Sequence, residues 1–204
     1  MVKSFLHVGP GNSNKENTTP YFNNDNWDET RLDINPNANP DIVASMLDMS
    51  IIEDNSYDAV YSAHNIEHVY AHEIRTALSE MYRVIKDDGF LFITCPDLQS
   101  VCDEVSKGNL LNPLYKLPNG EGIAAIDILY GHRPSLKAGN HYMAHKVGFT
   151  GEVLYGTIKD AGFKSAVVCF KKKQFALWCI AYKELLLSKE ELTQELSNHI
   201  DISL

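Results

Sequence analysis

Residues 90–95, reading Phe-Leu-Phe-Ile-Thr-Cys, constrain the fold most. All but Thr94 are apolar, and Pro96-Asp97 closes the run. A strand with no polar face has to be covered on both sides, which predicts a mainly parallel sheet between covering layers. The preceding segment agrees. Ile74, Ala77, Leu78, Met81 and Ile85 recur at helical spacing, with Glu73, Glu80, Arg83 and Lys86 opposite them. The expected stop is Asp87-Asp88-Gly89, with Gly89 in the left-handed conformation.

Further strands are expected at 5–8, 30–34, 41–44, 56–62, 165–170 and 175–182. The last two are close enough in sequence for an antiparallel hairpin across the basic run at 171–173, which reads as a solvated turn. Strands alternating with helices give an α/β fold with a mainly parallel sheet. Residues 12–28 lack helical periodicity and read as a long loop, anchored by Tyr21, Phe22 and Trp27. A short helix is expected at 98–105, and an irregular stretch at 106–148. Thr150 caps the next helix, with Phe149 and Leu154 as a hydrophobic staple and Gly162 at its end. Ser188 and Glu191 form a capping box for a terminal helix. Its apolar line, Leu192, Leu196 and Ile200, is narrow, so it packs lightly on the domain or meets a partner. The expected organisation is a domain at 1–187 with a lid-like insertion at about 106–148, then a helical tail at 188–204.

The chain has 204 residues and a net charge of −9. That charge repels phosphate backbones, so nucleic acid is not an expected partner. Four cysteines without a CxxC pair read as reduced, mostly buried thiols of a cytoplasmic protein. The first apolar run is too short for a signal peptide, and none approaches the ~20 residues of a membrane span. A monomer and a homodimer are equally consistent with the sequence.

In such sheets ligands bind beyond the carboxyl ends of the strands. Three places therefore matter: Gly9-Pro10-Gly11, Asp33 and the segment from Ser62. The two glycines let backbone approach a ligand closely. Asp33 lies about twenty residues on, where an acidic side chain can accept ribose hydroxyls. His64, Glu67 and His68 form HxxEH, a pattern that on a helix can hold zinc beside a general base. Zinc also needs a third protein ligand and a helix carrying both histidines. His72 extends the spacing, but no metal is expected, and a zinc hydrolase is the least favoured reading.

Taken in order, LDMSIIEDNSYDAVYSAHNIEHV and ALSEMYRVIKDDGFLFITCPD resemble the class I S-adenosylmethionine-dependent methyltransferases. Asp48-Met49, Ser56-Tyr57-Asp58, Ile66-Glu67-His68 and Arg83-Val84-Ile85-Lys86 occupy that family's characteristic places. The match resembles small bacterial members more than any group with an assigned substrate. It implies a Rossmann-like doubly wound sheet of seven strands with a C-terminal antiparallel hairpin, and S-adenosylmethionine as cofactor. It places Gly9 and Gly11 under the cofactor's ribose and methionine, and Asp33 on the ribose hydroxyls. Asp48 is expected on the adenine amino group and Met49 against the ring. Ser62 and His64 are expected at the methionine end, where Glu67 and His68 orient the turn. Where the family carries an acidic residue before the first glycine, this chain has His7, and no helix follows the first strand.

Methyl transfer is an in-line displacement at an activated sulfonium, so the protein mainly aligns the partners and excludes water. A base is needed only when the nucleophile must lose a proton; His145 and His141, in the segment at 106–148, are the candidates. Ser62-Ala63-His64-Asn65 stands where DNA amino-methylating enzymes of this fold carry an (Asn/Asp)-Pro-Pro-aromatic turn. The expected acceptor is therefore a small molecule. The alternative is a non-catalytic domain that keeps the fold as an interaction module.

Overall fold

A computed structural model describes residues 2–171 and 174–200. Lys172 and Lys173 of the basic run lie outside the described residues. The centre is a seven-stranded sheet of β1 (Lys3–Val8), β2 (Trp27–Asp33), β3 (Ile42–Val43), β4 (Tyr57–Ala63), β5 (Ile85–Pro96), β8 (Ser165–Lys171) and β9 (Ala176–Tyr182), in the order β3-β2-β1-β4-β5-β9-β8. β3 to β5 run parallel, and β9 enters antiparallel between β5 and β8. This is the fold class and hairpin that the sequence predicts. Among the described residues no helix is long and apolar enough to cross a membrane.

α1 (Ile74–Val84) and α5 (Gly151–Asp160) cover one face, burying Leu78, Met81, Leu154 and Ile158 against Leu6, Val60, Leu91 and Ile93. The opposite face is aromatic: Phe5, Tyr61, Phe90 and Phe92 point there. No α-helix follows β1; residues 12–26, with one 3-10 turn at Lys15–Asn17, fold onto this face instead. Phe22 is fully buried at their centre, 4.7 Å from Phe5 and 4.9 Å from Trp27 between ring centroids. The terminal helix α6 (Lys189–His199) completes the cover with Leu192, Leu196 and His199. The narrow apolar line is therefore spent on the domain's own sheet. Ser188 caps α6 reciprocally with Glu191, and Thr150 caps α5, as the residue types require.

Three sequence expectations need correction. First, α1 does not run to Gly89. It ends at Val84, because the backbone N–H groups of Asn55 and Ser56 donate to the carbonyls of Arg83 and Val84 and satisfy the helix end. Gly89 lies inside β5, where an added Cβ would stand 2.6 Å from the Asp58 carbonyl oxygen. Its role is close backbone approach at the irregularity between Tyr57 and Ala59. Second, β2 begins at Trp27 rather than Thr30, since Trp27 is itself a buried strand residue.

Third, residues 106–148 are not irregular. After α2 (Leu98–Ser106) they form a small sheet of β6 (Pro113–Lys116) and β7 (Gly122–Ala124), then α3 (Ala125–Tyr130) and α4 (Arg133–Lys137). Val101, Ile123, Ala125 and Ile128 make its own small core. The elements are too short to show a period, and the glycines and prolines mark its turns.

Candidate active site

β1 and β2 end side by side, and their ends are clasped together. The Gly11 N–H donates to Asp33 Oδ2 at 2.8 Å, and the Asn35 N–H donates to Asp33 Oδ1 at 2.8 Å. Arg31 donates from Nη2 to the carbonyls of Gly11 and Ala38, tying the glycine turn to the β2–β3 connection. Gly9 and Gly11 have φ of +68° and +57°, which glycine tolerates best. An added Cβ on Gly11 meets nothing within 4 Å, whereas one on Gly9 would fall 2.1 Å from Asn65 Nδ2. Asn65 in turn donates from Nδ2 to the Val8 carbonyl, so the end of β4 rests on the turn after β1.

Asp33 stands at the end of β2, as the sequence expects. A carboxylate offers about four acceptor positions, and two backbone donors leave room for hydroxyls. Asp48 lies in an exposed turn with Oδ1 accepting from the Ser50 N–H. Met49 is fully buried in the core, not presented at the glycine turn, and its N–H donates to Glu80 Oε2. Arg83 holds the same stretch by donating to the carbonyls of Met49 and Ile52 and to Asp54. The motif residues Glu80 and Arg83 are thus braces for residues 49–54. Asp58 is another, accepting from the Ser4 N–H and from Lys86 Nζ.

His7 points to the aromatic face, with Nδ1 2.6 Å from Glu29 Oε1. Glu29 Oε2 accepts the Lys15 N–H, so the loop after β1 is anchored on the same carboxylate. Glu29 was not legible as a site residue, yet it supplies a carboxylate beside position 7.

Beyond β4 and β5 the segment at 106–148 closes a cavity of about 260 Å³, lined by His64, Glu67, His68, Tyr115, His145 and Phe175 among others. His141 is exposed and does not line it. Ser62 is fully buried on β4 with no hydrogen-bond partner for Oγ among the described residues. His64 has a φ of +49°, held there by its N–H bond to the Thr94 carbonyl. Residues 66–68 form a single 3-10 turn, so HxxEH does not lie on an α-helix. Ligand-type atoms of Glu67, His68 and His145 nevertheless lie within 4.8 Å of one another. Burial pushes the Glu67 carboxyl upward, but His64, His68 and His145 outweigh it and hold the group below its usual range. His145 is lowered, chiefly by burial.

A sequence model of the methyltransferase-domain family matches residues 6–93. A search of curated proteins finds no match. Solved structures with this fold include an S-adenosylmethionine-dependent methyltransferase from Archaeoglobus fulgidus, 15% identical, covering 88% of this chain and 85% of its own, at a TM-score of 0.57. One from Aquifex aeolicus is 14% identical, with 88% and 81% covered and a TM-score of 0.55. The Burkholderia thailandensis 1,6-didemethyltoxoflavin-N1-methyltransferase, solved with 1,6-didemethyltoxoflavin and S-adenosylhomocysteine, is 13% identical, with 89% and 71% covered and a TM-score of 0.54. S-adenosylmethionine is the cofactor that goes with this family and fold. The methyltransferase-domain model spans β1 to β5, and the seven-stranded sheet has the fold of the S-adenosylmethionine-dependent methyltransferases it resembles.

Proposed function

We propose that the protein transfers the methyl group of S-adenosylmethionine to a small-molecule acceptor held in the cavity beyond β4 and β5. One observation supports the reading: the glycine turn after β1 meets the segment that lines that cavity through consecutive residues. Asn65 covers Gly9, and His64 lines the cavity. Gly9, Gly11 and Asp33 would hold the ribose and methionine, Asp48 would meet the adenine, and Ser62 and His64 would face the methyl end. Met49 would support the adenine turn from inside the core rather than stack on the ring. When bound, the cofactor supplies an activated methyl; the chain's own part is alignment and exclusion of water.

The module at 106–148 acts as the lid over the acceptor. Its Tyr115 and His145 line the cavity together with Glu67 and His68, a few polar groups on a partly apolar wall, as small-molecule sites require. His145 is the histidine of the two candidates that can meet an acceptor, because His141 stands outside. A second reading, a non-catalytic module, draws on Asp33 being already bonded to two backbone N–H groups.

Calorimetric titration with S-adenosylmethionine and S-adenosylhomocysteine, on the native protein and on Asp33→Ala, separates the two. Methyl transfer requires binding by the native protein and at least a tenfold loss in the variant, since two hydroxyl hydrogen bonds to a charged acceptor contribute about 1.5–3 kcal/mol each. No binding by folded native protein moves the non-catalytic reading ahead.

A further inference from the structure

Glu67 is 1% exposed, and neither carboxylate oxygen has a hydrogen-bond partner among the described residues. Its ion-pair partner, His64 Nδ1 at 3.6 Å, is too far for a hydrogen bond. A buried carboxylate without donors is costly and calls for a compensating group. Two imidazoles stand beside it. His68 and His145 come from separate parts of the chain, and their ring centroids are 4.9 Å apart.

Each of those rings is fixed by a backbone carbonyl. His68 Nδ1 lies 3.1 Å from the Ala144 oxygen, and His145 Nδ1 lies 2.7 Å from the Ile128 oxygen. A carbonyl only accepts, so Nδ1 carries the proton on both rings and Nε2 is left with its lone pair. That outer arrangement, with one ring nitrogen donating to a carbonyl and the other free, is the one that orients metal-bound histidines. The third ligand that HxxEH lacks in the sequence is supplied by the segment at 106–148.

We propose that Glu67, His68 and His145 bind a first-row divalent transition metal ion, zinc being the usual occupant of such a set, on the wall of the cavity. Two imidazoles and one carboxylate are the donors that this class of ion favours over magnesium or calcium. The candidate ligand atoms are within 4.8 Å of one another. Tetrahedral ligands at about 2.1 Å from zinc are about 3.4 Å apart, so closure takes about an ångström of side-chain rotation. Three protein ligands leave a position open to the cavity, where His64 or an oxygen of a bound molecule can complete the shell. That last role rests on the cavity being the acceptor site; binding of the ion does not.

The test uses the full-length protein, stripped with chelator and titrated with zinc, and separately with cobalt, whose visible absorption reports coordination number. Native protein is expected to take up one ion per chain and to gain thermal stability with it. His68→Ala, His145→Ala and Glu67→Gln are each expected to weaken binding at least about a hundredfold, more than the loss of an outer partner. His72→Ala, an exposed neighbour, is expected to bind as native does. Circular dichroism of each metal-free variant establishes folding. Glu67→Gln removes only the charge, so it keeps the test valid if an alanine variant fails to fold. No zinc or cobalt binding by folded native protein overturns the proposal, as does binding unchanged in Glu67→Gln. S-adenosylmethionine titration of the stripped protein is scored separately, so failure of the metal site and failure of the methyl-transfer reading are distinguishable.

Discussion

His199 sits 3% exposed between Phe92, 4.3 Å away and stacked, and Tyr21, 4.1 Å away. Its polar contact is Thr19 Oγ1 at 3.4 Å, and Nε2 has no partner among the described residues. Burial drives its pKa down from 6.5 to about 3. The folded protein therefore holds it neutral while the unfolded chain takes up a proton below about 6.5. The unfolded state binds more protons in that window, so stability is lost as the pH falls from about 6.5 toward about 3. At pH 5 the unfolded histidine is almost wholly protonated and the folded one hardly at all. The unfolding constant rises about thirtyfold, or about 2 kcal/mol. That figure barely moves if the folded pKa is 4 instead, because the unfolded side sets it. The assay is urea unfolding at pH 7.5 and pH 5.0, on native protein and on His199→Phe, followed by tryptophan fluorescence. Other titrating groups contribute equally to both proteins and cancel in the difference. The acid penalty of the native protein is expected to exceed that of His199→Phe by about 2 kcal/mol. Equal penalties would refute the claim that this ring is held neutral among the aromatics.

Two further substitutions probe the site and its support. Gly9→Ala places a Cβ 2.1 Å from Asn65 Nδ2 in a left-handed backbone. It is expected to lower stability by at least the ~1–2 kcal/mol of that conformation, with a smaller penalty in an Asn65→Ala background; equal penalties in a double-mutant cycle would show that the contact is not the cause. Phe22→Ala removes the fully buried centre of the loop after β1 and is expected to cost about 3–5 kcal/mol in urea unfolding. A loss below about 1 kcal/mol would mean that the loop is not part of the core.

The sheet was legible because its strands alternate with helices and its caps are local: Thr150 and Ser188 act where they stand. The meeting of Gly11 and Asp33 was legible for a similar reason, as both lie at strand ends. What failed to show depended on distant partners. Gly89 looks like a helix stop until the Asp58 carbonyl is seen beside it. Glu29 has no local signature and matters only because the β1–β2 pairing brings it to His7. HxxEH gives no sign that His145 lies beside Glu67 and His68, because His145 belongs to a module with no period of its own. Glu80 and Arg83, visible as family residues, turn out to hold a loop rather than a ligand.

The aromatic face has a consequence for how the chain comes to be folded. Thr19 and His199 meet across 180 positions of sequence, and α6 lies over strands made long before it. A nascent chain carries Phe92 and Tyr61 without their final cover until residue 199 has cleared the ribosome. The half of the sheet beneath α1 and α5 can mature earlier, while this half waits for α6. The chain is therefore exposed to misassociation from the time β4 and β5 emerge until α6 follows, and α6 is the piece that ends that interval.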